Sequence, residues 1–150
     1  MNQRDRTFWS GEAEKSLRIY RAKCVALENL RDDIRECEES LGSIRSADPD
    51  CVRVKSSSTP NNQFLNALTM QDALTESYQR TKSWVEKMDN AFSVLSHEEI
   101  TILERMYIYP EPNAVDRLAG DLQIDVKTVY RRKDAALARF TIARFGNIEN

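Results

Sequence analysis

Apolar residues recur at helical spacing along three stretches of the chain. From about Ser10 to Arg45 they fall at Leu17, Tyr20, Cys24, Leu27, Leu30, Ile34, Cys37, Leu41 and Ile44, in steps of three and four except for a doubled three at Leu27 to Leu30. That is a helical stripe close to a heptad, with one local phase shift. From about Gln63 to Leu95 the stripe is cleaner: Leu74, Tyr78, Thr81, Val85, Met88, Phe92 and Leu95 alternate four and three, and Phe64 and Leu68 extend it backwards. Each segment predicts a helix of roughly 33–36 residues, about 50 Å long at ~1.5 Å per residue. Two helices of equal length predict an antiparallel, coiled-coil-like hairpin over 10–95.

Proline marks where these helices stop. All four prolines lie in two breaks, Pro49 and Pro60 in one and Pro110 and Pro112 in the other, because proline removes an amide donor and crowds the preceding turn. The first break, 46–62, is polar and serine-rich and reads as a linker; a short strand at Cys51–Val54 is the lesser possibility. A two-helix hairpin leaves apolar surface at its edges. Pairing with a second copy, as a homodimeric four-helix bundle, covers it most simply. The alternative is a monomer whose C-terminal module folds back on the hairpin. Trp84, beside the stripe, reads as packing.

The third stretch, 96–146, breaks into three shorter helices. Ser96-His97-Glu98-Glu99 is a capping box that opens a helix about Ser96 to Tyr109, with Ile100, Leu103, Met106 and Tyr107 on one face. Asn113 is placed to cap a short helix, Ala114 to Leu122. Gln123-Ile124-Asp125 makes a tight turn, and Asp125 caps a helix from Val126 to about Phe145. The spacing Leu118-Ala119-x-x-Leu122-x-Ile124-x-x-x-x-Val129 is that of a helix-turn-helix, with small Ala119 at the crossing, Gly120 lowering bulk further, and Leu118, Leu122, Ile124 and Val129 filling the core between helices. The turn position that favours glycine, because φ is often positive there, holds Gln123.

Charge sharpens this picture. The 150 residues carry 22 basic and 24 acidic side chains, a formal net of −2, which by itself argues mildly against nucleic acid. The average hides two opposite modules. Residues 1–112 hold 15 bases and 19 acids, and residues 113–150 hold 7 and 5. From Val126 to Gly146 there are six bases against the single acid Asp134. Such a stripe attracts phosphates through counterion release, and arginine forks also read guanine edges. Helical spacing turns Val129, Ala136, Leu137 and Phe140 inward. Lys127, Tyr130 and Arg131 are expected at base edges of double-stranded DNA, with Thr128, Arg132, Lys133 and Arg139 nearer its phosphates.

Leu95 to Phe140, above all LAGDLQIDVKTVYRRKDAALARF, resembles region 4 of bacterial sigma factors. The chain from Leu17 to Phe145 resembles phage and prophage transcriptional regulators of the ArpU/RinA type, although only the last fifty residues carry specific motifs. The resemblance implies promoter recognition by the helix-turn-helix, places Lys127, Tyr130 and Arg131 at base-contacting positions and Val129 in the core, and implies contact with RNA polymerase. Two features depart from region 4: Gln123 replaces the turn glycine, and the YPEPN connector is about two residues longer. Nothing matches the sigma region that melts DNA. The rival reading is a phage packaging protein, such as a small terminase subunit, which also joins a helix-turn-helix to oligomerising helices.

Little points to catalysis or cofactors. His97 is the only histidine and sits in a first helical turn; no glycine-rich phosphate loop exists among four glycines. Six acids between Glu28 and Glu39 are interleaved with Arg31 and Arg35 and read as a solvated face rather than a metal site. The three cysteines, Cys24, Cys37 and Cys51, lack the close pairing of zinc ligands and read as reduced thiols. No apolar run is long enough to cross a membrane and no signal segment opens the chain, so the expectation is a non-enzymatic cytoplasmic protein.

Overall fold

The computed structural model describes residues 3–46 and 60–146, and among these every regular element is helical. The linker expected at 46–62, the Cys51–Val54 strand and Cys51 itself lie outside the described residues, apart from the helix ends at 46 and 60–62. Helix α1 is Gln3–Ser46, α2 is Pro60–Phe92, α3 is His97–Leu103, α4 is Ala114–Leu122 and α5 is Val126–Phe145. No described helix is long and apolar enough to cross a membrane.

Local chemistry accounts for most boundaries. Pro60 stands at the first position of α2, where its missing amide costs nothing and its fixed φ suits a helix. Helix α2 ends at Phe92, three residues short of the expected Leu95, through a turn in which the Leu95 amide donates to the Phe92 carbonyl at 3.0 Å. Leu95 is buried all the same. The capping box then starts α3: the Glu99 amide donates to Ser96 Oγ at 3.2 Å and the Ser96 amide to Glu99 Oε2 at 2.8 Å.

The single α-helix expected over Ser96–Tyr109 is corrected. After Leu103 the chain widens into a π-helical turn, Glu104–Ile108, closed by the Tyr109 amide on the Glu104 carbonyl at 2.7 Å. A second correction concerns Asn113. It does not cap α4 with its side chain; its backbone takes the left-handed conformation, φ 55°, and only its carbonyl joins the helix, accepting from the Arg117 amide at 3.1 Å. Asparagine tolerates that conformation better than most residues.

Packing divides the chain into two compact units. One comprises α1 as far as Cys24, α2 from Trp84, and α3 to α5; the other is Val25–Ser83. In the first, Ala13 and Leu17 of α1, Met88 and Ala91 of α2, Leu95, Leu103, Tyr107 and Ala136, Leu137 and Phe140 of α5 form one core. Phe92 links it, with ring centroids 5.2 Å from both Tyr20 and Phe140. Trp84 packs against this core, and the Lys23 ammonium lies 5.9 Å from its ring. Trp9 of α1 meets Phe145 of α5 with ring centroids 5.1 Å apart and planes tilted by 39°. Tyr20 donates to Asp89 Oδ1 at 2.6 Å, and its phenol is pushed well up by burial and then by that carboxylate.

The second unit is thinner. The stripe residues of α1 and α2 within it are half-buried, and only Leu41 and Thr81 reach full burial among its described residues. Cys37 Sγ donates to the Ala67 carbonyl at 3.4 Å, joining the two helices.

Candidate nucleic-acid interface

A small core underlies the basic helix. Ile102, Leu118 and Val129 are all fully buried together, with Met106, Val115, Ala119, Leu122 and Ile124 packed around them. Leu118, Ala119, Leu122, Ile124 and Val129 are the positions whose spacing singled out this region, and they seat α4 against α5; Ile102 and Val115 join them without a signal in that spacing. Gly120 plays no part in that close packing, contrary to expectation: it is exposed, and a Cβ there would meet nothing within 4 Å.

The turn between α4 and α5 is built from backbone. The Ile124 amide donates to the Ala119 carbonyl at 3.0 Å and the Gln123 amide to the Gly120 carbonyl at 3.3 Å. This pair of bonds is a Schellman motif, which needs a left-handed residue after the helix. Gln123 supplies it with φ 55° and ψ 43°. The chain thus makes with glutamine the turn that glycine makes without strain. Asp125 then caps α5 as expected, accepting from the Thr128 amide at 3.2 Å. The Thr128 hydroxyl also donates to Asp125, and that bond, followed by the amide, holds the Asp125 carboxyl below its ordinary range.

The seven basic-helix residues singled out by sequence have different surroundings. Lys127, Tyr130 and Arg131 are exposed on the N-terminal half of α5, and neither Lys127 nor Arg131 has an ion-pair partner among the described residues. Thr128 is half-buried and occupied with Asp125. Arg132 pairs with Glu98 of α3. Arg139 reaches back to Glu99, with Nη1 at 2.9 and 3.0 Å from its two oxygens, while Nη2 donates to the Val94 carbonyl at 2.8 Å. Lys133 is mostly covered, with its ammonium 2.9 Å from Asp134 and 5.8 Å from the Tyr130 ring. Burial opposes its charge, but Asp134 and the nearby Tyr107 outweigh that and raise its pKa.

The helix thus carries two kinds of base. Lys127 and Arg131, with the Tyr130 phenol beside them, offer donors to solvent. Arg132 and Arg139 each engage an acid of α3, Glu98 and Glu99, and fasten α5 to it.

Arg105 was not found by sequence reasoning. From the π-turn it donates through Nε and Nη2 to Glu111 Oε2 at 3.1 and 2.9 Å and through Nη1 to Asp121 at 2.6 Å. It so ties the proline connector to the end of α4. The available signal was that Arg105 is the one arginine or lysine between Ser96 and Tyr109, just before a connector that holds Glu111. The bonds to Glu111 and Asp121 raise its pKa further, so its charge is permanent.

Among the described residues no three His, Cys, Asp or Glu side chains are grouped to hold a metal ion. His97 is exposed in the first turn of α3, and Cys24 and Cys37 are free, half-buried thiols. Comparison of the chain with protein-family models, with curated proteins and with solved structures finds no match.

Proposed function

We propose that the protein is a sequence-specific DNA-binding transcriptional regulator of phage or prophage type, in which α4, the Gln123 turn and α5 act as a helix-turn-helix similar to sigma region 4. The observation that carries this reading is the division of α5 into two faces. Val129, Ala136, Leu137 and Phe140 are buried, while Lys127 and Arg131 stand exposed on the opposite side with no ion-pair partner among the described residues, and Tyr130 is exposed at the flank. A helix seated in this way can lay that face into a major groove, where ammonium and guanidinium groups meet guanine acceptors and phosphates.

A homodimer fits the second unit. Leu27, Leu30, Ile34, Leu68, Leu74 and Tyr78 stay half-buried along the stripe, and Leu65 and Met70, off it, are 53% and 61% exposed. A second copy laid along this hairpin stripe gives a four-helix bundle and presents two recognition helices to two half-sites. Selection from a randomised duplex pool with the purified protein tests the reading: a single enriched motif supports it, and no enrichment at moderate salt overturns it. Sedimentation decides the assembly, since a dimer fits a regulator and a ring of many subunits fits a packaging protein.

A further inference from the structure

Helix α1 carries two arginines whose placement the helix-turn-helix reading does not use. Arg18 and Arg21 are exposed and have no ion-pair partner among the described residues. Each guanidinium is instead braced on a tyrosine of the π-turn region: Arg18 lies 5.3 Å from the Tyr107 ring centroid and Arg21 lies 4.9 Å from that of Tyr109. Stacking of this kind leaves the N–H fork free at its edge while holding the plane in place. Glu14, one turn earlier on the same face, accepts weakly from the Tyr107 hydroxyl at 3.4 Å, and Glu12 is engaged by Lys15 at 2.7 Å.

The same tyrosine connects this face to α5. Lys133 lies close enough to Tyr107 and Glu14 to be influenced by both, and its ammonium is 5.8 Å from the Tyr130 ring. The buried Tyr107 thus has the Arg18 guanidinium over its ring and lies within electrostatic reach of Lys133, which in turn faces the Tyr130 ring of α5. Arg18 and Arg21 are three residues apart, about 4.5 Å along the helix axis, and so are neighbours on the surface of α1.

We propose that Arg18 and Arg21 of α1 are a second DNA contact, holding backbone phosphates that flank the site read by α5. This rests on the DNA-binding reading above and extends it to a helix that lies outside the basic module. The contact is with phosphate, so it adds affinity and salt dependence without adding base preference.

The test uses the full chain and a duplex carrying the motif enriched from the pool, with dissociation constants measured across a salt series. In R18Q/R21Q the expected result is at least tenfold weaker binding near 0.1 M salt. The slope of log affinity against log salt should be shallower by about two, roughly 0.9 for each phosphate contact removed. Relative affinities for single-base variants of the motif should be unchanged. R18K/R21K, which keeps the charges, should restore most of the affinity, and circular dichroism should show all variants equally helical. An unchanged affinity and slope in a folded R18Q/R21Q protein, while K127A/R131A weakens binding, would overturn the α1 contact and leave the function standing. Loss of base preference in R18Q/R21Q would also overturn it, and failure of the unmodified protein to select any motif would overturn both.

Discussion

Glu99 and Arg139 join two elements that lie forty residues apart in sequence. The carboxylate that accepts the Ser96 amide at the start of α3 also receives the Arg139 guanidinium of α5 at 2.9 and 3.0 Å. One side chain thus closes a helix end and fastens the basic helix to it. Arg139, expected from sequence near phosphates, has its donors taken by Glu99 and the Val94 carbonyl. Arg139→Ala should therefore lower thermal stability by about 1 kcal/mol or less, as a partly exposed pair does. It should change DNA affinity much less than Arg131→Ala; melting and binding measured on the same samples separate the two effects.

The same carboxylate makes stability pH-dependent in the acid range. The Ser96 amide holds the Glu99 carboxyl below its ordinary value; burial opposes this, and Arg139 adds to it. A depressed carboxyl contributes fully above its unfolded pKa, near 4.3, and the contribution is lost as pH falls through the lower folded value. Thermal melts from pH 6 down to 3 should show a falling midpoint below about pH 4.5, and Glu99→Gln should flatten part of that fall.

Gln123 holds a left-handed backbone that its Cβ disfavours. Gln123→Gly should raise stability by about 0.5–1 kcal/mol, the strain relieved being larger than the unfolded-state entropy that glycine adds. Gly120→Ala should raise it by a similar amount, about 0.5–1 kcal/mol, because a Cβ there meets open space within a helix. Urea unfolding of both single variants checks this; a loss of stability in either contradicts the geometry of the turn.

Much of the module 96–146 was legible because its signals are local. Ser96 with Glu99, Asp125 as a cap, and the run Leu118 to Val129 each act over a few residues, so α4 and α5 were placed at the bounds observed even though Asn113 does not cap α4 with its side chain. The contacts of α1 and α2 with α5 were not legible. An apolar stripe specifies that a face is covered but carries no information on what covers it. Leu17 and Met88 meet Phe140 across more than fifty residues of chain. The π-turn at Glu104–Ile108 and the Arg105 bonds depend on where Glu111 and Asp121 arrive in space, which no spacing rule encodes. For the candidate site, helical period separated exposed from buried positions of α5, yet could not distinguish Arg131, left free, from Arg132 and Arg139, engaged by α3.

Arg105 is only 19% exposed and bridges Glu111 and Asp121. Arg105→Met keeps much of its apolar stem but leaves two carboxylates unpaired. The expected result is faster amide exchange across the proline connector, at Tyr109 and Glu111, with the α5 amides unchanged. Uniform loss of protection would mean that the connector and α5 unfold as one unit.

Leu118 and Val129 carry the small core beneath the exposed face. Leu118→Ala should cost about 2–5 kcal/mol, as cavity-forming core substitutions do. It should weaken DNA binding indirectly, with an altered circular dichroism spectrum or a lowered melting midpoint.

The central claim is that the exposed N-terminal face of α5 reads duplex DNA. Its most direct test is a binding titration of Arg131→Ala and Lys127→Ala against the motif selected by the unmodified protein and against each single-base variant of it. Arg131→Ala is expected to weaken binding to the motif by roughly 1–3 kcal/mol and to relax preference at one or two positions, with folding intact. Unchanged affinity and unchanged preference in both folded variants would contradict it.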